Sequence, residues 1–221
     1  MTIGLMGCEE AVTKAKALSK DFRALKLKVG ADLERDIERM RSVRDAVGSS
    51  VRLWCDANQG FDFVRAMKFA EAAAELNVEF IEQPVAAGDI DALAMLARES
   101  PVPIMADESV KSIRDYGALL DKGVTHFNIK LMKCGGIRPA CKIADLLAER
   151  GARALVGCMG ESGVSLAGAL HFASANPHVV KWADLDSQFM LAKDVCAPLD
   201  FRDGMLWPKG PGTGVGLREV F

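Results

Sequence analysis

The chain has 221 residues, half of them apolar, and a formal net charge of −2. That length suits one large domain with a substantial core, and the near-balanced charge argues against nucleic acid or an anionic membrane as partner. No uninterrupted apolar run approaches the roughly 18 residues of a membrane span, and the opening MTIGLMGCEEAV lacks the basic and apolar regions of a signal peptide. Cys8, Cys55, Cys134, Cys141, Cys158 and Cys196 form no CxxC pair and no zinc-like spacing. Reduced, partly buried thiols and a cytoplasmic location are expected.

Short β-prone runs centre on Ile3, Leu27, Leu53, Phe80, Ile104, Phe127, Leu155 and Trp182. Their spacing of about 25 residues accommodates one strand, one helix and two loops. Helix-like stretches fill the gaps. ADLERDIERMRSVRDAVG places Leu33, Ile37, Met40 and Val43 or Arg44 on one face, with Asp32 near its start. FDFVRAMKFAEAAAELN ends at Asn77, and PACKIADLLAERGAR meets a stop signal at Gly151. Such alternation predicts an α/β fold with a parallel sheet covered by helices. Eight regular units favour a closed barrel, although periodicity alone leaves a doubly wound sheet open. The eighth unit departs from the rest, because MLAKDVCAPLDF is short and carries Pro198. From about residue 200 to 221 the Gly- and Pro-rich tail reads as an extended arm. No linker or second domain is evident.

Charged residues recur at the strand ends. Lys26 and Lys28, two apart in LKLKVG, share one face of a strand. An isolated KxK usually marks a solvated edge. In a covered sheet, however, crowding and partial burial loosen each ammonium's hold on its proton and suit one of them to act as a base. Asp56 and Asn58 end RLWCDANQG, Glu82 ends FIEQP before Gln83-Pro84, and Asp107 closes PVPIMAD beside Glu108. One acidic residue at a strand end is ordinarily a cap or loop carboxylate. Three at matching positions of neighbouring strands would repel one another without a cation. Oxygen-only ligands favour Mg²⁺, with Mn²⁺ as the alternative, over zinc.

Lys130 in FNIKLMKCGG shares a strand face with Asn128, whereas Lys133 reads as a loop charge. In a barrel, Lys28 and Lys130 would flank a substrate from opposite sides and serve as two bases that invert a stereocentre. Asp184 and Asp186 in WADLDSQ share a face of the eighth strand. They read either as an anionic clamp for a substrate ammonium group or as the start of a loop. Glu161 and Ser162 read as a helix cap, and His126, His171 and His178 show no ligand spacing and read as structural.

Together these motifs resemble the enolase superfamily, and within it the muconate-lactonising-type subgroup. KLKVG matches its second-strand KxK, CDAN, IEQP and ADES its three metal ligands in order, and NIKLMKCGGI its sixth-strand lysine. The resemblance spans nearly the whole chain and implies a modified TIM-type (β/α)7β barrel over residues 1–221. It implies Asp56, Glu82 and Asp107 as Mg²⁺ ligands and Lys28 and Lys130 as acid/base residues. Lys26 would help to stabilise enolate charge and to loosen the Lys28 proton. A DxD on the eighth strand is a feature of the subgroup's dipeptide epimerases, where it holds the free α-ammonium group; Asp184 and Asp186 match it. The implied activity is epimerisation of a dipeptide, of which Ala-Glu is one family substrate, through a metal-stabilised enolate. Related activities that use the same lysines and metal are muconate cycloisomerase, o-succinylbenzoate synthase and N-acylamino acid racemase. Family members carry an N-terminal capping domain ahead of the first barrel strand, but here MTIGL already reads as that strand. The cap is therefore expected to be missing, which would leave an uncovered rim prone to form homo-oligomers. A catalytically inactive truncated barrel is the contrasting reading.

Overall fold

The computed structural model describes residues 1–208 and Val215. Each of the eight apolar runs forms a strand: β1 (Thr2–Ile3), β2 (Ala24–Lys28), β3 (Arg52–Asp56), β4 (Val78–Glu82), β5 (Ile104–Ala106), β6 (His126–Ile129), β7 (Arg153–Gly157) and β8 (Val180–Asp184). Between them run α1 (Cys8–Leu18), α2 (Leu33–Val47), α3 (Phe63–Glu75), α4 (Ile90–Glu99), α5 (Ile113–Asp121), the short α6 (Leu131–Cys134), α7 (Ile137–Glu149) and α8 (Gly163–Ala175).

The chain divides into two compact units. The first is Met1–Val110 with Ala118–Thr125 and carries β1–β5. Each of these strands pairs in parallel with the next. The second is Lys111–Gly117 with the described residues from His126 onward; its β6, β7 and β8 again pair in parallel and in sequence. Parallel neighbours need a crossover, and the intervening helices supply it. A covered parallel sheet buries both faces of its strands. Leu53, Trp54, Cys55 and Asp56 of β3 accordingly run buried without alternation.

Aspartates start three of the helices. Asp32, Asp62 and Asp89 accept from the backbone N–H of Arg35, Arg65 and Ala92, which satisfies an otherwise orphaned donor at each N-terminus. The inner face of α2 differs from the apolar stripe expected. Met40 and Val43 are buried as predicted, but Asp36 and Arg39 join them, while Leu33 and Ile37 are only half-buried. The helix is turned so that this ion pair reaches the backbone of the loop after β2.

After β8 comes a 3-10 turn (Ser187–Phe189), and no α-helix follows it among the described residues. The irregular eighth unit read from the sequence is thus present. The start of the expected extended arm is instead an antiparallel hairpin, β9 (Asp200–Arg202) with β10 (Met205–Trp207). Its turn is Asp203-Gly204, with φ of 53° and 73°. Two left-handed residues in a two-residue loop match the right-handed twist of the flanking strands. The rest of the arm, from 209 on, lies outside the described residues apart from Val215. No helix of the described residues is long and apolar enough to cross a membrane, and all six cysteines are free thiols.

His126 on β6 packs against Trp182 of β8 at a ring separation of 5.8 Å. Burial, aided by Arg153, lowers its pKa from 6.5 to about 4. The folded chain therefore holds this ring neutral while the unfolded chain protonates it, so its contribution to stability is complete above 6.5 and is lost as pH falls toward 4. His126→Phe is expected to flatten the loss of stability across that window, read from urea unfolding at a series of pH values.

Candidate active site

Sheet register sets the site. Lys28 pairs with Asp56, and Asp56 pairs with Glu82, so three charged residues end β2, β3 and β4 in one row. Asp107 follows directly on β5, two residues past Met105, which pairs with Glu82. Asp56, Glu82 and Asp107 are at most 1% exposed. Buried carboxylates of this kind require compensating positive charge. Lys26, itself buried, places Nζ 3.5 Å from Asp56 Oδ2 and 3.4 Å from Glu82 Oε2. Lys28 Nζ donates to Asp56 Oδ2 at 2.6 Å and to Asn58 Oδ1 at 2.7 Å. The two lysines thus share one face and one acidic partner, as the KxK spacing predicts.

Loop backbone holds these side chains in place. Asn58 takes a left-handed conformation with φ of 40°. Its N–H donates to Asp56 Oδ1 at 3.0 Å, and its Nδ2 donates to Glu108 Oε1 at 3.0 Å. Glu108 therefore fixes the amide so that the Asn58 carbonyl oxygen is the atom turned toward Lys28. The loops after β2 and β3 touch backbone to backbone. A Cβ at Gly30 (φ +104°) would lie 2.4 Å from Ala57 O, and one at Gly60 would lie 2.3 Å from Gly30 O. Only glycine permits that approach.

Asp36 and Arg39 finish the β2 loop from beneath. Asp36 Oδ2 accepts from the N–H groups of Gly30, Ala31 and Asp32. Arg39 Nη2 donates to Asp36 Oδ1 and to Lys28 O, each at 2.6 Å, and its Nη1 donates to Met6 O. Sequence reasoning missed this pair. The available signal was two opposite charges three apart on the face that also carries Met40 and Val43.

In the second unit, Lys130 follows β6 immediately, in extended conformation, and precedes α6. Lys133 lies within that short helix rather than in a loop. Asn128, two residues before Lys130, is fully buried. Its amide lies so near Gly157 that a Cβ there would stand 2.6 Å from Oδ1. Asp184 ends β8 opposite Gly157, and Asp186 precedes the 3-10 turn; both are buried. Asp186 accepts a weak bond from Cys158 Sγ at 3.8 Å. Burial pushes the Cys158 thiol up to about 11, which leaves it protonated and a poor nucleophile at neutral pH. Ser162 precedes α8 but caps it with no side-chain bond, and Glu161 instead accepts from Met159 N and Ser165 Oγ.

The structure thus gathers Lys26, Lys28, Asp56, Asn58 and Glu82 into one contact network, with Glu108 joining through Asn58. Asp107 stands at the end of the neighbouring strand. In the second unit Lys130 follows β6 and Asp184 ends β8, whereas Asp186, expected on the same strand face, lies two residues past the strand in a helical conformation. Among the described residues, no three carboxylate, imidazole or thiol groups are already drawn together as a metal-binding cluster. The donor set still fits a hard divalent cation. It is oxygen only, deeply buried, and Asp56 and Glu82 already converge on a cation, the Lys26 ammonium.

Known proteins resemble this chain over nearly its whole length. Residues 9–220 match the family described as enolase C-terminal domain-like. The chain is 40% identical over 220 residues to the L-Lys-D/L-Arg epimerase of Methylococcus capsulatus, covering 97% of this chain and 62% of that protein. Among solved structures it is similar to the dipeptide epimerase of Enterococcus faecalis V583, complexed with Mg and L-Leu-L-Tyr. That likeness has a TM-score of 0.93 and 35% identity, and covers 98% of this chain and 62% of the other. It is also similar to the muconate lactonizing enzyme of Pseudomonas putida, at a TM-score of 0.90 and 26% identity, covering 99% of this chain and 63% of the other. The chain therefore spans about three fifths of the length of these relatives. The strand-helix order together with these likenesses gives the TIM-like (β/α)7β fold expected from the sequence. A match over residues 9–220, nearly the whole chain, makes this protein a member of the enolase C-terminal domain-like family.

Proposed function

We propose that this chain is an isomerase barrel that inverts the configuration of a carbon next to a carboxylate, with dipeptides as substrates and Mg²⁺ as cofactor. The observation that carries this reading is the row Lys28, Asp56 and Glu82 at adjacent strand ends, with Lys26 buried between the two carboxylates. Relatives that are epimerases, one of them solved with Mg and a dipeptide, support it.

In this reading Lys28 takes or returns the α-proton on one face of the substrate, and Lys130 does so on the other. Asn58, held by Glu108, orients the Lys28 ammonium. Lys26 supplies fixed positive charge among the carboxylates and favours the enolate left by proton removal. Asp56, Glu82 and Asp107 would hold the metal, which when bound supplies positive charge beside the substrate carboxylate. Asp184 and Asp186 accept hydrogen bonds from the substrate's α-ammonium group. Buried carboxylates pair strongly with such a cation and reject a neutral amide in its place.

The substrate class is tested by incubating the chain with Mg²⁺ and a panel of dipeptides and N-acylated amino acids, then resolving the stereoisomers chromatographically. Inversion of dipeptides in preference to acylated analogues is expected. Asp184→Asn should narrow that preference by about 10-fold or more, since a hydrogen bond to a charged group is worth roughly 1.5–3 kcal/mol. Equal loss on both substrate classes would remove the ammonium-clamp role and favour an N-acylamino acid racemase.

A further inference from the structure

Gln83 immediately follows the Glu82 carboxylate and is fully buried. Its backbone is held in the left-handed region, at φ of 36°. A glutamine adopts that conformation only where its surroundings enforce it. Those surroundings are three consecutive strand-end loops.

On one side, the carbonyls of Glu82, Gln83 and Pro84 accept from the N–H groups of Ala57, Gln59 and Phe61 at 3.0, 2.8 and 2.9 Å. The loop after β3, which carries Asn58, is thereby laddered onto the segment after β4. On the other side, Gln83 N donates to Met105 O at 2.8 Å. Strand β5 then ends at Ala106, and the backbone ladder ends with it. From that point the Gln83 side chain takes over. Its Oε1 accepts from Asp107 N at 2.9 Å and from Ser109 N at 3.1 Å. Its Nε2 donates to Ser109 Oγ at 2.8 Å and to Val85 O at 3.0 Å. Ser109 Oγ in turn donates to Ala87 O at 3.0 Å. Both atoms of the amide are used, so its orientation is determined.

We infer that Gln83 is a positioning residue that sets Glu82 and Asp107 as one preformed ligand pair. Its amide replaces the missing backbone of β5 and fixes the direction in which Asp107 leaves the sheet. The inference rests on the proposed role of Asp56, Glu82 and Asp107 as metal ligands. A glutamine that served packing alone would affect the stability of the fold and leave the metal affinity of folded molecules unchanged.

The test is binding of Mn²⁺, followed by its electron paramagnetic resonance signal, at a temperature where each variant is fully folded by circular dichroism. Gln83→Met keeps the side-chain length and removes all four amide hydrogen bonds. It should weaken Mn²⁺ binding by about 10- to 100-fold, the usual cost of losing an outer partner of a metal ligand. Ser109→Ala removes one of those bonds, should weaken binding by less, and serves where Gln83→Met does not fold. Phe69→Leu, in the core at α3, should lower stability and leave the affinity unchanged. If Gln83→Met and Ser109→Ala bind as tightly as the parent, or if Phe69→Leu weakens binding equally, the positioning role is wrong while the ligand assignment stands. If the parent chain binds no Mn²⁺, or binds it equally well as Asp56→Ala, the ligand assignment fails and the inference with it.

Discussion

Lys28→Ala is expected to slow inversion of the substrate stereocentre by about 10²–10⁴-fold, the range supplied by a positioned general acid or base. It should do so without weakening Mg²⁺ binding. The reason lies in the partners of Lys28: its ammonium donates to Asp56 Oδ2 at 2.6 Å and to Asn58 Oδ1 at 2.7 Å. An ammonium and a metal ion compete for the same carboxylate oxygen, so removing the lysine frees Asp56 rather than impairing it. Lys28→Arg separates charge from chemistry. A guanidinium retains the cation beside Asp56 but does not give up its proton in a protein, so the loss of inversion should match that of the alanine variant. Inversion rates and Mg²⁺ titrations on the three proteins check both statements. Near-parental inversion in Lys28→Arg would assign Lys28 a purely electrostatic role.

The second large effect is on stability. Asp36→Ala is expected to lower the unfolding free energy by about 3–5 kcal/mol, because it leaves the charge of Arg39 buried without its acid partner. For a chain of this size that corresponds to a fall in Tm of about 6–20 °C. The same substitution deprives three loop N–H groups of their acceptor. Arg39→Met in the Asp36→Ala background should restore part of the loss, since an apolar side chain replaces the stranded charge. Thermal and urea unfolding of the single and double variants measures that coupling. Simple additivity would show that the two side chains do not act as a pair. Because Arg39 also donates to Lys28 O, the single variants should loosen the strand end that presents Lys28.

Much of this was legible in the sequence because the period of the fold is short and regular. All eight apolar runs became strands, and residues at matching run ends became neighbours in register, as with Lys28, Asp56 and Glu82. The KxK pair behaves as strand alternation requires, and both lysines meet Asp56. What escaped was set by contacts that a local pattern does not encode. The side chain of Gln83 bonds to backbone 24 and 26 residues further on. Nothing in IEQP distinguishes that glutamine from a turn residue. A helix-face argument selects apolar positions and therefore passed over Asp36 and Arg39, whose burial is offset by loop backbone. Asp203-Gly204 is a hairpin-turn pair, but the Gly- and Pro-rich surroundings pointed to an extended arm.

Proton transfer at a carbon acid exchanges the substrate's α-proton with solvent, which proton NMR in D₂O reads without any coupled step. The chain, Mg²⁺ and a dipeptide are incubated together and the α-proton signal of the substrate is followed. The signal is expected to decay, chelating the metal to stop the decay, and Lys28→Ala to lose exchange from one stereoisomer while Lys130→Ala loses it from the other. No decay with any dipeptide at saturating Mg²⁺, or decay unchanged when both lysines are replaced by alanine, would contradict proton transfer by the two lysines.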